Sequence, residues 1–308
     1  MENIHMPVLL NEVLHLLHAS DGGRFIDCTV GAGGHAESLL SASGGKLLGL
    51  DSDSMILEKA SSRLEVYGEA CVLRQGNFEE IAKIAEDTGF TGVDGVLMDL
   101  GVSSLQLDTP ERGFSFMRDG PLDMRMDRSL KVSAADLVNG LEMSELKTII
   151  KDYGEEPMAG SIASVIVRER AKEPILTTSR LADLVRISGK SRDSRVHPAT
   201  KTFQALRIAV NRELEVLAGG LAGAYSVLRK GGRLAVISYH SLEDRIVKHF
   251  FRKHVGFHRS LESGGSEWIG EKPAGRLVNK KIIKPTELEV KKNFRSRSAK
   301  LRVIERVE

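Results

Sequence analysis

The sequence predicts an α/β fold with a mostly parallel, Rossmann-like sheet and an inserted helical domain. Short apolar runs alternate with helical patterns through residues 24–100, which is typical of βαβ units that build a parallel sheet. Only helical patterns follow over 133–189, and a strand pattern returns at 233–238. A helical segment is therefore expected to interrupt the sheet between its fourth and fifth strands.

The first four strands are predicted from apolar runs that end at glycines or carboxylates. They cover residues 24–30, 46–51, 70–75 and 93–100. Between them, apolar side chains at helical spacing predict one helix that begins at His35 and two more over 54–64 and 78–87. The strands are apolar along nearly their whole length, so we expect helices to cover both faces of the sheet.

Residues 106–204 are predicted to form the inserted helical domain, while residues 1–105 and 205–308 form the domain that carries the sheet. The inserted helices are expected over 134–141, 144–153, 159–171 and 178–187. Near the C-terminus, a long helix is expected to end within Leu228–Gly232, directly before the fifth strand. The remaining elements are a helix over 242–253, a mobile polar loop over 260–275, and β-like runs over 277–283 and 299–307.

Composition excludes several classes of protein. The 308 residues are 41% hydrophobic and 28% charged, as in average globular domains and unlike disordered or collagen-like chains. No run approaches the ~18 apolar residues of a membrane span, and the N-terminus lacks the basic region of a secretory signal. The two cysteines, Cys28 and Cys71, are too few for a disulfide framework. These features predict a cytoplasmic protein.

The formal net charge of +2 is the sum of unlike segments. Residues 1–159 carry −14 and residues 213–244 carry −1, whereas residues 160–212 carry +7 and residues 245–308 carry +10. Basic segments of this kind favour a polyanionic partner, although lysines and arginines that are merely solvated would give the same count.

A glycine-rich turn after the first strand predicts a nucleotide-type pocket. Gly31, Gly33 and Gly34 permit a tight turn and a close approach of the backbone to a ligand. The free N–H groups at the following helix start attract electronegative ligand atoms. Asp51, at the end of the second strand, can accept hydrogen bonds from both hydroxyls of a ribose. Dinucleotides and S-adenosylmethionine both suit this arrangement.

Two further positions favour S-adenosylmethionine over a dinucleotide. Phe78 follows the third strand, where its ring could cover an adenine, unless it packs into the core instead. Asp99 ends the fourth strand at the mouth of the expected pocket. An acidic N-terminal portion suits a sulfonium cation better than a pyrophosphate, because opposite charges attract.

Residues 99–127, which read DLGVSSLQLDTPERGFSFMRDGPLDMRMD, resemble the RsmH/MraW family of bacterial methyltransferases. Further blocks resemble the family in the same order, at 5–10, 31–35, 197–207 and 238–245. Members of the family methylate the N4 amine of a cytidine in the decoding region of 16S rRNA. The resemblance implies a class I methyltransferase domain, S-adenosyl-L-methionine as cofactor, and 16S rRNA or the small ribosomal subunit as partner.

The resemblance also implies a set of cofactor-binding residues, namely Gly33, Gly34, His35, Asp51, Phe78, Asp99 and Gln106. The lone pair of a cytosine amine is delocalised into the ring, so the site must hold the amine in line with the methyl donor. Asp99 is the candidate catalytic residue, either as hydrogen-bond acceptor for the amine or as acceptor of its proton. The alternative is that Asp99 binds only the cofactor. No metal is expected, because two distant cysteines and scattered histidines lack ligand spacing.

Base pairing hides the cytosine amine, so the target base must be unpaired or flipped out. Asp123 and Arg125 could fix that base, or could pair with each other and hold their own loop. His240 follows the fifth strand, at the rim where ligands bind in open α/β sheets, and could line the pocket for the base. His5 could fold over the site, on resemblance alone.

Two basic segments are candidate RNA surfaces. Phe203 and Arg207 share a helix face, and we expect the block 190–212, with Arg192, Arg195 and Lys201, to contact RNA through stacking and charge. The alternative is a packed helix with exposed arginines. The other candidate is the basic tail over 280–300, where phosphate contacts would be sensitive to salt.

Two rival hypotheses stand beside methyl transfer. An NAD(P)-dependent dehydrogenase could use the glycine turn together with Asp51. A catalytically silent protein of the same fold could bind RNA without modifying it. Cofactor binding separates the first rival from methyl transfer, and the modification state of rRNA separates the second.

Overall fold

The computed structural model describes residues 7–188, 197–261, 264–269 and 274–308. The chain divides into two compact units, of which the first joins Met1–Gly101 to Leu214–Glu308 and the second is Val102–Glu213. The predicted boundaries lay at 105/106 and 204/205. The second of these falls inside the helix Thr200–Asn211, whose buried residues Phe203 and Leu206 belong to the core of the second unit.

The first unit is built on a seven-stranded sheet. In chain order, the nine strands of the described residues are β1 Arg24–Asp27, β2 Lys46–Asp51, β3 Cys71–Gln75, β4 Val93–Asp99, β5 Leu228–Ser238, β6 Phe257–Ser260, β7 Ser266–Ile269, β8 Gly275–Leu277 and β9 Lys300–Arg306. The large sheet has the order β3-β2-β1-β4-β5-β9-β8, and β6 pairs only with β7. Strands β1 to β5 are parallel, whereas β9 and β8 are antiparallel. This topology confirms the predicted Rossmann-like sheet.

Most helices of the described residues lie where helices were predicted, whereas Leu10–Leu16, Ser104–Asp108 and Glu287–Lys292 have no predicted counterpart. In chain order they are α1 Leu10–Leu16, α2 Gly34–Ser43, α3 Ser54–Leu64, α4 Ile81–Asp87, α5 Ser104–Asp108, α6 Ala134–Gly140, α7 Met143–Asp152, α8 Ala159–Arg170, α9 Thr178–Ser188, α10 Thr200–Asn211, α11 Glu213–Ser226, α12 Ser241–Val255 and α13 Glu287–Lys292. Helices α5 to α10 belong to the second unit and surround a core of their own. Among the described helices, none is both long and apolar enough to cross a membrane.

Side chains of the central strands alternate between two hydrophobic cores. On β4, Val96 and Met98 belong to one core, whereas Leu97 belongs to the other. This alternation is expected because successive residues of a strand point to opposite faces of the sheet. Helices α4, α11 and α12 contribute buried residues to the first core, and α1, α2 and α3 to the second. Both faces of the sheet are therefore covered.

Three segments differ from the predictions. Leu228–Gly232 does not close a helix, because α11 ends at Ser226 and Leu228 already pairs with Val93 on β4. The polar stretch 260–275 is not one loop, since Ser266–Ile269 forms β7 in a hairpin with β6. Of the predicted β-like run 277–283, only Leu277 lies in a strand, as the last residue of β8. Ile283 forms an isolated bridge with Leu301. Polar composition concealed the hairpin, because the side chains of β7 are mostly exposed and need not be apolar.

We expect Leu97→Ala to lower the free energy of unfolding by about 2–5 kcal/mol, because the substitution leaves a cavity in a packed core. The Leu97 side chain is 0% exposed, at the centre of the sheet. Urea unfolding followed by circular dichroism measures the change. Val66→Ala is the control, since Val66 is 83% exposed. Equal losses in the two variants would contradict this account of the core.

Candidate cofactor site and active site

Three carboxylates end three neighbouring strands at one edge of the sheet. Asp27 ends β1, Asp51 ends β2 and Asp99 ends β4. Strand β1 lies between the other two and is parallel to both. Ligands of open α/β sheets bind outside the carboxyl ends of the strands. Negative charge is therefore concentrated where a ligand is expected.

The turn between β1 and α2 requires glycine. Gly31 has a φ of 55° and Gly33 a φ of 85°, in the left-handed region that other residues rarely adopt. Gly34 begins α2, and a Cβ at this position would lie 2.7 Å from Cγ of Pro7. The N-terminal segment therefore packs closely against the turn, and a side chain at position 34 would displace it.

Asp51 is held by the backbone on both of its oxygens. Its Oδ2 accepts a hydrogen bond from Gly31 N at 3.1 Å, and its Oδ1 accepts one from Asp53 N at 2.9 Å. Asp53 is buried and caps α3 by accepting from Met55 N. Burial raises the pKa of Asp51 to about 6. Each carboxylate oxygen can accept a second hydrogen bond, so the ionised group can receive two ligand hydroxyls.

Asp27 is buried with one oxygen unsatisfied. Its Oδ1 accepts from Thr29 N at 3.1 Å, whereas its Oδ2 has no hydrogen-bond partner among the described residues. Burial is the largest cause that raises the pKa of Asp27 to about 7, and the charges of Asp99 and Asp51 add to it. A buried polar atom without a partner is costly, which points to a ligand or a water at this position.

Asp99 is fixed by Thr29 and Tyr239, which follow the ends of the two neighbouring strands β1 and β5. Its backbone N–H donates to Thr29 Oγ1 at 2.7 Å, and its Oδ1 accepts from the Tyr239 hydroxyl at 2.8 Å. Burial, followed by the Asp99 charge, raises the pKa of Tyr239 well above its ordinary value. The hydroxyl therefore stays protonated and donates a hydrogen bond to the carboxylate.

His35 presents an acceptor beside the second oxygen of Asp99. His35 Nε2 lies 3.0 Å from the Val8 carbonyl oxygen, and since a carbonyl only accepts, Nε2 carries the proton. Burial lowers the pKa of His35 to about 4, so the ring is neutral near pH 7. Its Nδ1 is then an acceptor 3.7 Å from Asp99 Oδ2. Two adjacent acceptors suit a ligand N–H donor.

The two remaining predicted cofactor residues lie in different units. Phe78 follows β3 and is half-buried, packed against the core and against Gly220 of α11. Gln106 belongs to the second unit and is buried. Its Oε1 accepts from Ser103 N and its backbone N donates to Ser103 Oγ, a capping box at the start of α5. Cofactor contacts of both residues stay predictions.

Asp123 and Arg125 pair with each other. Arg125 donates from Nε to Asp123 Oδ1 at 2.7 Å and from a terminal nitrogen to Oδ2 at 2.9 Å. Arg125 also donates to the Leu130 carbonyl at 2.7 Å. This ion pair lowers the pKa of Asp123 against the opposing effect of burial. Of the two alternatives from the sequence, these contacts favour a loop that is bonded internally.

The expected stacking surface on α10 needs correction. Phe203 is 4% exposed and packs edge-on against Phe116, with ring centres 4.9 Å apart. Arg207 forms a bidentate pair with Glu213 at 2.8 and 2.9 Å. Helical spacing placed the two side chains on one face, but that face is turned into the helical core. Phe203 is therefore not accessible to a base.

His240 takes part in the start of α12. Its Nδ1 accepts from Glu243 N at 3.4 Å, and its Nε2 lies 3.1 Å from Glu243 Oε1. A role for His240 in base binding stays a prediction. His5, Arg192 and Arg195 lie outside the described residues.

The sequence matches known proteins over nearly its whole length. The MraW methylase family matches residues 2–307. The chain belongs to this family. Proteins called ribosomal RNA small subunit methyltransferase H are similar to it. The one from Citrifermentans bemidjiense is 50% identical over 98% of each chain, and the one from Thermomicrobium roseum is 47% identical over 100% of this chain and 95% of its own. Among solved structures, an rRNA methylase from Streptococcus thermophilus aligns over 99% of both chains at 12% identity and a TM-score of 0.40.

As a member of the MraW methylase family, the chain is a methyltransferase whose methyl donor is S-adenosyl-L-methionine. The described residues fit that cofactor. Asp51 offers acceptors for ribose hydroxyls, and His35 with Asp99 offers acceptors for a ligand N–H donor. The acidic edge suits a sulfonium cation. The dehydrogenase hypothesis loses its support.

Sequence reasoning missed three features of this site. Asp27 had no predicted role, because the predicted strand 24–30 ran past it, although the structure places it at a strand end like Asp51 and Asp99. The Tyr239 contact with Asp99 depends on β5 lying beside β4, and no local pattern reports that. The carbonyl of Val8 as partner of His35 likewise becomes visible only in three dimensions.

We expect the affinity for S-adenosylmethionine to fall about tenfold per pH unit below pH 6, because protonation of Asp51 removes a ribose acceptor. Isothermal titration calorimetry between pH 5 and 8 measures this step. Asp51→Asn should bind more weakly and show no step near pH 6. Asp27→Asn is the control and should keep the step. A step that persists in Asp51→Asn would assign the titration to another group.

Proposed function

We propose that the chain transfers the methyl group of S-adenosyl-L-methionine to the N4 amine of a cytidine in 16S rRNA, in the cytoplasm. The observation that carries the proposal is the Asp99 carboxylate, which ends β4 at the cofactor edge and is oriented by Tyr239. The relatives named as small subunit rRNA methyltransferases support rRNA as the substrate. The N4 position is what the resemblance to the RsmH/MraW family implies, and an oriented carboxylate is compatible with an exocyclic amine as the acceptor of the methyl group.

When bound, the cofactor supplies an electrophilic methyl group. An exocyclic amine is both a hydrogen-bond donor and a weak nucleophile, because its lone pair is delocalised. The Asp99 carboxylate would accept one amine hydrogen, place the nitrogen in line with the methyl group and raise its electron density. The new N–C bond would form as the S–CH3 bond of the methyl donor breaks, with the electron pair staying on sulfur and S-adenosylhomocysteine as the leaving group. The nitrogen would then be positively charged and very acidic. Its proton then leaves to Asp99 or to water.

Tyr239 and His35 would act as positioning residues for this step. Tyr239 donates a hydrogen bond to Asp99 Oδ1 and so holds the carboxylate in one rotamer. In that rotamer Asp99 Oδ2 lies beside His35 Nδ1, and these two atoms form a pair of acceptors. Both side chains are neutral at pH 7, and neither compensates the charge of Asp99. The negative charge therefore remains available to the amine.

Mass spectrometry of rRNA tests the proposed function. Small-subunit rRNA from a strain that lacks the chain is incubated with the protein and cofactor carrying a deuterated methyl group. We expect one labelled methyl group on N4 of a cytidine, and a rate lower by about a hundredfold or more for Asp99→Asn. A label on another atom, or no label, would contradict the function. Loss of calorimetric cofactor affinity in Asp99→Asn, in step with the rate, would restrict Asp99 to cofactor binding.

We expect Tyr239→Phe to lower the rate of methyl transfer about tenfold, because one hydrogen bond to a charged group is lost. Cofactor affinity should stay within twofold of that of the parent, which corresponds to about 0.4 kcal/mol in binding free energy. Tyr67→Phe is the matched control. It removes a tyrosine hydroxyl that donates to the Glu37 carbonyl in the same unit and should leave the rate unchanged. Equal rates for Tyr239→Phe and the parent would rule out the positioning role.

A further inference from the structure

Residues 283–301 form a loop that hydrogen bonds close at its base. Ile283 and Leu301 pair through an antiparallel bridge, with N···O distances of 3.3 and 2.9 Å. The side-chain amide of Asn279 donates to the carbonyls of Lys281 and Leu301, at 3.0 Å each. Within the loop, the Thr286 hydroxyl caps α13. These bonds hold the loop in one conformation, so it presents its side chains with little further ordering.

The surface of this loop is cationic. Residues 284–300 contain six lysines or arginines and two glutamates. The side chains of Lys284, Lys291 and Lys292 are exposed. One of the two glutamates, Glu289, is half-buried and accepts from Leu9 N at 2.7 Å. Positive charge therefore dominates the part of the loop that faces solvent.

Phe294 projects from the loop beside an arginine. It begins a short 3-10 helix, Phe294–Ser298, and its side chain is 67% exposed. The guanidinium carbon of Arg297 lies 4.1 Å from the centre of the ring, so a cation covers one face. Phe294 belongs to none of the three hydrophobic clusters of the described residues. Among the described residues, no hydrophobic cluster accounts for the position of the ring.

We propose that Phe294 and Arg297 form a stacking platform for an unpaired base of the RNA substrate, with the neighbouring lysines holding its phosphates. The inference rests on the proposed function, which makes RNA the substrate, and adds the surface that receives it. Unpaired RNA bases stack on aromatic rings and guanidinium planes. Lysines around the ring neutralise the backbone without reading sequence. Duplex RNA offers no free base face, so the platform requires a single strand.

Other partners fit the loop less well. An acidic lipid surface would also attract lysines, but α13 spans only Glu287–Lys292, which is too short to bury an amphipathic face in an interface. The block 190–212, the other candidate from the sequence, lost its aromatic contribution because Phe203 is buried. Phe294 supplies the exposed aromatic side chain that Phe203 cannot.

Fluorescence anisotropy with a fluorescein-labelled, single-stranded RNA that contains unpaired cytidines tests the platform. We expect Phe294→Ala to weaken binding about tenfold, in line with the loss of one stacked base. Phe294→Trp should retain binding. Val66→Ala, at an exposed apolar residue of an acidic segment of the same unit, should bind as the parent does. Replacing Lys291 and Lys292 with Glu should weaken binding and flatten its dependence on salt.

Unchanged RNA affinity in Phe294→Ala would overturn the platform, and so would equal weakening for single-stranded and duplex RNA. Binding of the parent to phosphatidylserine vesicles that is lost in Phe294→Ala, with RNA affinity unaffected, would assign the loop to a membrane instead. The parent protein separates this inference from the proposed function. If the parent labels cytidine N4 while Phe294→Ala binds RNA normally, only the platform is wrong. If the parent labels no rRNA, the proposed function fails whatever Phe294 does.

Discussion

Asp27, Asp51 and Asp99 cannot move apart, because the hydrogen bonds of the sheet fix the strands that carry them. Burial makes ionisation at this edge costly, and it is the largest cause that raises the pKa of Asp27 to about 7 and that of Asp51 to about 6. Neighbouring charges add to it, those of Asp99 and Asp51 for Asp27 and that of Asp53 for Asp51. A cation with hydroxyl and amino donors relieves that cost. S-adenosylmethionine has all three features, so the carboxyl edge of the parallel sheet suits the cofactor of the family.

The groups around Asp99 keep its charge available for a ligand. Burial acts in opposite directions on two of them, since it raises the pKa of Tyr239 and lowers that of His35 to about 4. In both cases the neutral form is favoured. Asp123 shows the contrast, because a guanidinium faces both of its oxygens and satisfies its charge within the loop. A carboxylate with neutral partners can still attract a ligand donor strongly. In an ion pair, the charge of the carboxylate is already compensated by the guanidinium.

The sequence predicted what local pattern determines. Strand ends and glycine spacing placed Asp51 and Asp99 at the carboxyl edge, because strands, turns and parallel order all follow from short-range periodicity. The sequence did not predict the accessibility of side chains or contacts that depend on which element packs against which. Phe203 and Arg207 share a helix face as expected, yet spacing does not say whether that face meets solvent or another helix. Tyr239 reaches Asp99 only because β5 lies beside β4, across a long insertion.

The tail and the cofactor edge are joined by direct contacts within the first unit. Glu289 on α13 accepts from Leu9 N, and the neighbouring Val8 carbonyl lies against Nε2 of His35, whose Nδ1 faces Asp99. Leu9 has a φ of 54°, a conformation that a leucine adopts only when its surroundings impose it. Glu289 and the burial of Leu9 are what impose it here. Residues 7–9 therefore lie between the basic loop 283–301 and the glycine turn, with Leu9 in an unfavourable backbone conformation. A chain of direct contacts therefore connects the loop that carries Phe294 to Asp99, although the two residues lie far apart in the sequence.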